Sequence, residues 1–195
     1  MDDDPYCWPG TNCLRNKLGI RDAEELAAVE HTIVGLQRIR LTTRSLPGAF
    51  DTAHLQRFHR ALFGDIYDWA GTIRNIRMAK GTSTFCLPQF LHEQLAELFA
   101  GLAADGYLIG LARGPFLERF ATLYGELNAL HPFREGNGRT QQAFLRQLAA
   151  AAGWKIRWDD VDKQDNDEAC AAYFNTQKAK ILIDLLAPTV LPIIR

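Results

Sequence analysis

The sequence predicts an all-α domain, a helical bundle that carries one small β-hairpin. Three observations predict it: apolar residues recur every three or four positions through most of the chain, two-residue alternation is confined to residues 72–88, and Gly or Pro punctuates each helical stretch. At 195 residues the chain is long enough to bury a substantial core, and a single domain over residues 1–195 is expected.

The first helix is expected over residues 22–40, with Leu26, Val29, Ile33, Leu36 and Ile39 as its apolar stripe. Asp22 suits its N-cap, with Glu25 three residues on in a capping-box-like start. Pro47 and Gly48 mark a turn. A second helix begins near Thr52, with Leu55, Phe58, Leu62, Phe63 and Ile66 on one face. Residues 72–78 alternate roughly by two, residues 80–83 offer a turn, and Thr84, Phe85 and Cys86 precede Pro88, which together read as a hairpin. A lone hairpin has little stability in water, so it must pack on helices or pair with another strand.

Helical spacing returns over residues 89–103 and stops at Asp105 and Gly106. Gly114 and Pro115 open the next helix, whose face is Phe116, Phe120, Leu123, Leu127 and Leu130. Pro132 ends it, because the residue before proline is pushed out of helical geometry. A glycine-containing loop leads to a helix over residues 139–152, stopped by Gly153, and a last helix is expected over residues 168–186. The apolar stretch from Ala179 to the C-terminus is broken by Lys180, Asp184, Pro188 and Pro192. It reads as a buried helix with a proline-limited tail rather than a membrane span.

The formal net charge is -1, so no global basic field argues for nucleic acid, and the cluster Arg38, Arg40 and Arg44 reads as a solvated helix end. The N-terminus is acidic where a targeting segment would be basic. Cys7, Cys13, Cys86 and Cys170 show neither Cys-x-x-Cys nor zinc-ligand spacing and are expected as reduced, mostly buried thiols. A cytoplasmic location is expected, with signal-less export into a host cell left open.

Chemistry concentrates between His131 and Thr140. Gly136, Asn137 and Gly138 stand at the start of a helix, where free N–H groups and a partial positive charge bind phosphate. Glycine lets the backbone close on the anion without a Cβ in the way, and Arg139 adds a fixed cation. Glu135 beside the nest would repel phosphate unless Mg²⁺ bridged the two. His131, with an ordinary pKa near working pH, suits a base that takes a hydroxyl proton.

The run His131-Pro-Phe-Arg-Glu-Gly-Asn-Gly-Arg139 resembles the Fic motif, HPFx[D/E]GNGRxxR. Residues 55–74, from Leu55 through Trp69 and Gly71 to Arg74, are similar to the helix and turn before that family's hairpin. Residues 5–20 resemble the N-terminal segment of its bacterial toxin and effector branch. The resemblance implies the Fic fold, with a core at about residues 50–155 and the hairpin as a flap beside the active-site loop. It implies a protein adenylyltransferase moving AMP from ATP to a Tyr, Ser or Thr hydroxyl of a target protein. His131 would be the base and Glu135 the Mg²⁺ ligand. Gly136, Asn137, Gly138 and Arg139 would hold the phosphates, and Lys80, Gly81 and Thr82 at the flap tip would be nucleotide contacts. The target would dock by strand addition on the hairpin of residues 73–85.

In the toxin branch the implied target is a type II topoisomerase B subunit, and the implied partner is a separate small antitoxin supplying an inhibitory glutamate. The family's own inhibitory pattern is approached only at Thr122 to Glu126 and fails at Leu127. One departure stands inside the motif: the second arginine is replaced by Gln142. A neutral donor there predicts weaker ATP binding unless Arg134 or Arg146 compensates. Transfer of another phosphate-containing group, as in the Doc-like branch, and an attenuated domain that binds without efficient turnover are the alternatives.

Overall fold

The computed structural model describes residues 4–80 and 83–193. Gly81 and Thr82, two of the expected nucleotide contacts, lie outside the described residues. Seven helices make up the described fold: α1 (Ala23–Thr43), α2 (Thr52–Phe63), α3 (Leu91–Ala104), α4 (Arg113–Leu130), α5 (Asn137–Ala151), α6 (Lys163–Thr176) and α7 (Lys180–Leu186). Helix α4 lies at the centre and packs on α3, α5, α6 and α7, while α2 packs on α5. Its expected face is buried throughout, from Phe116 to Leu130, and meets Phe58, Phe99 and Phe144 in one continuous apolar cluster.

Asp22 caps α1 as expected, accepting a hydrogen bond from the Glu25 N–H at 2.8 Å. The face of α1 is rotated from the expected one. Leu26, Glu30 and Val34 point inward, whereas Leu36 and Ile39 are exposed. A strict four-residue series won over the apolar stripe because Glu30 has buried polar partners, described below.

The hairpin is shorter than its alternation implied. Strands β1 (Ala79–Lys80) and β2 (Ser83–Thr84) pair antiparallel, with Ala79 opposite Thr84 and Lys80 opposite Ser83. Residues 73–78 form an irregular leg, because the buried Arg74 claims the nearby carbonyls. The single C-terminal helix expected over residues 168–186 is instead two. Asp162 caps α6, accepting from the Gln164 and Asp165 N–H groups, and starts the helix earlier. Gln177 ends it in the left-handed region at φ 56°. The proline-limited tail forms a second strand pair, β3 (Trp154–Ile156) with β4 (Val190–Pro192), antiparallel with Ile156 opposite Val190.

Residues 4–20 form a strap along the turn that follows α2, where the Lys17 N–H donates to the Ile66 carbonyl at 2.8 Å and the Tyr6 ring meets Trp69 at 5.4 Å. Asn16 closes a turn there through four side-chain bonds, accepting from the Leu18 and Ile20 N–H groups and donating to the Leu14 and Ile20 carbonyls. The strap reaches the α4–α5 loop through Asp4, whose Oδ2 accepts from Arg134 Nε and Nη2 at 2.9 and 2.7 Å.

Candidate active site

Helix α4 stops at Leu130 because His131 turns into the left-handed region, at φ 48°, before Pro132. The chain then makes one tight loop. Asn137 is buried, its Oδ1 accepts from the Phe133 N–H at 2.9 Å, and its Nδ2 donates to the Phe133 carbonyl at 2.7 Å. Asn137 therefore offers the anion cradle its backbone amide rather than its side chain, which is spent on closing the loop.

Gly136 caps α5 at φ 75°, and a Cβ on it would lie 2.1 Å from the Phe63 ring, so the position requires glycine. Gly138 differs: a Cβ there would meet nothing within 4 Å. Its missing side chain is open space at the cavity edge. The first amide of α5 with a helical acceptor is that of Thr140, bonded to the Gly136 carbonyl. The N–H groups of Asn137, Gly138 and Arg139 have no partner among the described residues and stand at the helix start.

His131, Glu135, Gly136, Asn137, Gly138 and Arg139 all line one cavity of about 780 Å³. Lys80 and Phe85 of the flap close one side, and Asn166, Asp167, Cys170 and Phe174 of α6 close another. Of the sequence-assigned residues that the structure describes, all but one line this cavity, and Gly81 and Thr82 lie outside the described residues. Gln142 is half-buried on α5 and does not line the cavity. Neither expected substitute for it is a free cation at the phosphates. Arg146 does not reach the cavity, and Arg134 is bound by Asp4.

His131 is ordered on three sides. Its ring stacks on Phe85 at 3.9 Å and 10°, its Nδ1 lies 3.3 Å from the Asn128 carbonyl, and its own carbonyl accepts from Arg74 Nε at 2.7 Å. The Asn128 carbonyl selects the tautomer with hydrogen on Nδ1, leaving Nε2 as the free base. Burial pushes its pKa down to about 4, aided by the Arg74 and Lys80 charges and opposed by the Asn128 carbonyl. The ordinary pKa expected from the sequence is corrected by that desolvation: the imidazole is neutral over the whole physiological range.

Arg139 is held from behind. Its Nη2 lies 2.7 Å from Glu30 Oε1 and 3.1 Å from Glu135 Oε1, and its guanidinium sits 4.8 Å above the Phe63 ring. Tyr67 donates its hydroxyl hydrogen to Glu30 Oε2. Burial, the bond to Glu30 and the Glu30 charge all raise the Tyr67 pKa, so it stays a donor. His59 supports the loop from beneath. Its Nδ1 accepts from the Gly71 N–H at 2.8 Å, its Nε2 reaches the Glu135 carbonyl at 2.9 Å, and its ring stacks on Phe133 at 4.0 Å. Burial lowers its pKa to about 4, helped by the nearby Arg139 charge against the Glu135 carbonyl. Glu30, Tyr67, His59 and Arg74 were not foreseen as parts of the site. His59, Tyr67 and Arg74 stand in residues 55–74, whose resemblance to the family was their one signal in the sequence, and Glu30 stands off the apolar stripe expected for α1.

Both hydrogen bonds to the Glu135 carboxylate end on Oε1, from the Gly136 N–H at 2.7 Å and from Arg139, which leaves Oε2 as a ligand atom. Among the described residues no group of three or more His, Cys, Asp or Glu could cage a metal. A single carboxylate beside free amides suits Mg²⁺, which takes one or two carboxylates and completes its shell with phosphate oxygens and water. Glu126, the nearest approach to an internal inhibitory glutamate, faces a different cavity and accepts from Tyr173 Oη at 2.6 Å.

Fold and site define a class of helical domain in which a neutral imidazole stands beside an amide-lined cradle at a helix start. The chain belongs to the Fic/DOC family, whose model matches residues 49–149. It is 39% identical over 170 residues to a probable protein adenylyltransferase Fic of Escherichia coli, covering 85% of this chain and 82% of that protein. It is 40% identical over 167 residues to the protein adenylyltransferase VbhT of Bartonella schoenbuchensis, covering 86% of this chain and 35% of that longer protein. A solved structure of the effector BepC of Bartonella tribocorum, with bound AMPPNP, superposes with a TM-score of 0.89 at 26% identity over 96% of each chain.

Proposed function

We propose that this chain is a protein adenylyltransferase that moves AMP from ATP to a hydroxyl of a target protein. The observation that carries this reading is the placement of a neutral, tautomer-fixed His131 in the same cavity as the free amides of Asn137, Gly138 and Arg139. The target hydroxyl oxygen forms its bond to the α-phosphorus, the bond to the pyrophosphate oxygen breaks, and the hydroxyl proton passes to His131 Nε2. Free amides and Arg139 hold the phosphates in line, which is where phosphoryl transfer gains most of its rate. Glu135 Oε2 would hold Mg²⁺, which when bound neutralises charge on the phosphate oxygens. On the α6 wall, Asn166 Oδ1 accepts from Tyr124 Oη at 2.8 Å, and its amide hydrogens, which have no partner among the described residues, suit a ring nitrogen of the adenine.

The flap of residues 73–85 offers the target an edge for strand addition. A topoisomerase B subunit as target, a toxin role and a small antitoxin bearing the inhibitory glutamate complete the reading, and Glu126 on its own cavity is consistent with an external source. The test is ATP labelled at the α- or the γ-phosphate, incubated with the chain and a bacterial lysate. Protein-bound α-label that falls by roughly 10²–10⁴ in His131→Ala is the expected outcome. Transfer of γ-label instead would select the Doc-like reading, and undiminished α-label in the variant would reject His131 as the base.

A further inference from the structure

Arg74 is nine-tenths and more buried, at 2% exposure, yet no carboxylate pairs with it among the described residues. Its guanidinium ends on four carbonyl groups instead. Nη1 donates to Ile76 at 2.6 Å, Nη2 to Cys86 at 2.6 Å and to Leu130 at 3.2 Å, and Nε to His131 at 2.7 Å. Ile76 and Cys86 stand on the two legs of the flap, before β1 and after β2. Leu130 and His131 are the last turn and cap of α4, where unsatisfied carbonyls and the negative end of the helix dipole favour a cation.

We propose that Arg74 is a positioning residue for the transfer reaction: one buried guanidinium fastens both legs of the flap to the His131 backbone and so sets the distance between the docked target and the base. This inference rests on the adenylyl-transfer reading and deepens it. Main-chain bonds follow the same seam, from the Arg74 N–H to the Pro132 carbonyl at 2.9 Å and from the Cys86 N–H to the Ala129 carbonyl at 3.3 Å. The left-handed backbone of His131 is unusual for a residue with a Cβ, and the bond from Arg74 Nε to its carbonyl helps hold it there. A lysine carries its charge at one point with three donors, so it cannot span four carbonyls on three segments as a planar guanidinium does.

The experiment uses the full chain, single-turnover transfer of α-labelled ATP to a bacterial lysate, and AMPPNP with Mg²⁺ as the binding probe. Arg74→Met should transfer roughly 100-fold more slowly while its AMPPNP affinity changes less than about threefold, because misplacement costs rate and leaves the cradle intact. The acid limb of its rate profile should also move up in pH. Arg74 and Lys80 are the cations beside His131, Asn128 offers it a carbonyl and Phe85 a ring, and losing one cation eases protonation. A purely structural role would reduce the active fraction and leave the single-turnover rate of the folded fraction unchanged. Arg74→Lys retains the charge and covers the case in which the methionine variant does not fold, and it should also transfer slowly. Unmodified chain that transfers no label overturns the adenylyl-transfer reading itself. Unmodified chain that labels, with a folded Arg74 variant at a rate within about threefold and an unmoved limb, overturns the Arg74 inference alone.

Discussion

Along the α4–α5 side of the cavity the polar groups answer to buried neighbours, whereas the α6 side is tied down at its exposed rim. On the first side Asn137 closes on Phe133, His59 holds the Glu135 carbonyl, and Glu30 with Tyr67 backs Arg139. On the second, Lys80 of the flap and Lys163 share Asp167 at 3.0 and 3.6 Å, with both lysine side chains largely in water. Buried polar networks are costly to disturb because an orphaned partner loses its solvation, while exposed pairs contribute little. The candidate chemical groups are thus mounted on the wall held by buried contacts, and Lys80 near the flap tip is met by the wall held at its exposed rim.

The largest way to stress the rigid wall is acid. An unfolded histidine titrates near 6.5, and burial holds His59 and His131 at about 4 in the fold. Between those values the unfolded chain binds more protons, so stability is whole above pH 6.5 and falls as pH drops towards 4. Each site costs about 3 kcal/mol by the bottom of that window, which urea midpoints between pH 7 and 4 will register. A flat profile would mean that the two imidazoles are hydrated.

Gly136→Ala attacks the same wall sterically. A Cβ at φ 75° and 2.1 Å from Phe63 should cost about 3 kcal/mol or more, read from the unfolding midpoint. Gly138→Ala is its counterpart with the opposite sign for folding. The new Cβ meets no protein atom, so stability should hold or rise by up to about 1 kcal/mol. AMPPNP affinity should nonetheless fall about tenfold, because that Cβ stands in the cradle. Least is expected from Asp167→Asn on the α6 wall, where breaking two exposed ion pairs should move stability by less than about 1 kcal/mol. A larger loss there would erase the distinction between the walls.

The contrast also explains what was legible in the sequence. The cradle is built from consecutive residues, so Glu135 to Arg139 and His131 could be read from spacing and helix-start physics alone. The expected apolar faces of α2 and α4 are local in the same sense and hold in the fold. Long-range partners were not legible. In α1 the apolar residues Val29, Ile33, Leu36 and Ile39 argue for one phase, and only Arg139 and Tyr67, far along the chain, decide for Glu30 and the other. Arg74 in a run that alternates like a strand gives no hint that it will bind four carbonyls. The split between α6 and α7 turns on Gln177, a residue type with no strong claim to a left-handed cap. Gln142 shows the converse: its place in the motif implied a phosphate contact, and it stands one turn beyond Gly138 and Arg139 on α5, yet it is not among the residues that line the cavity.

The strap has an electrical meaning as well. Lys80, Arg134, Arg139 and Lys163 line the cavity, and each is matched by a carboxylate, from Asp4, Glu30, Glu135 or Asp167. With both imidazoles neutral, these described groups together with the unpaired Arg74 beside His131 sum to only +1. A nucleotide would therefore gain little long-range attraction, in contrast to an uncompensated basic funnel. Its association rate should respond only weakly to ionic strength, because recognition would start at contact with the amides of Asn137, Gly138 and Arg139 rather than at long range.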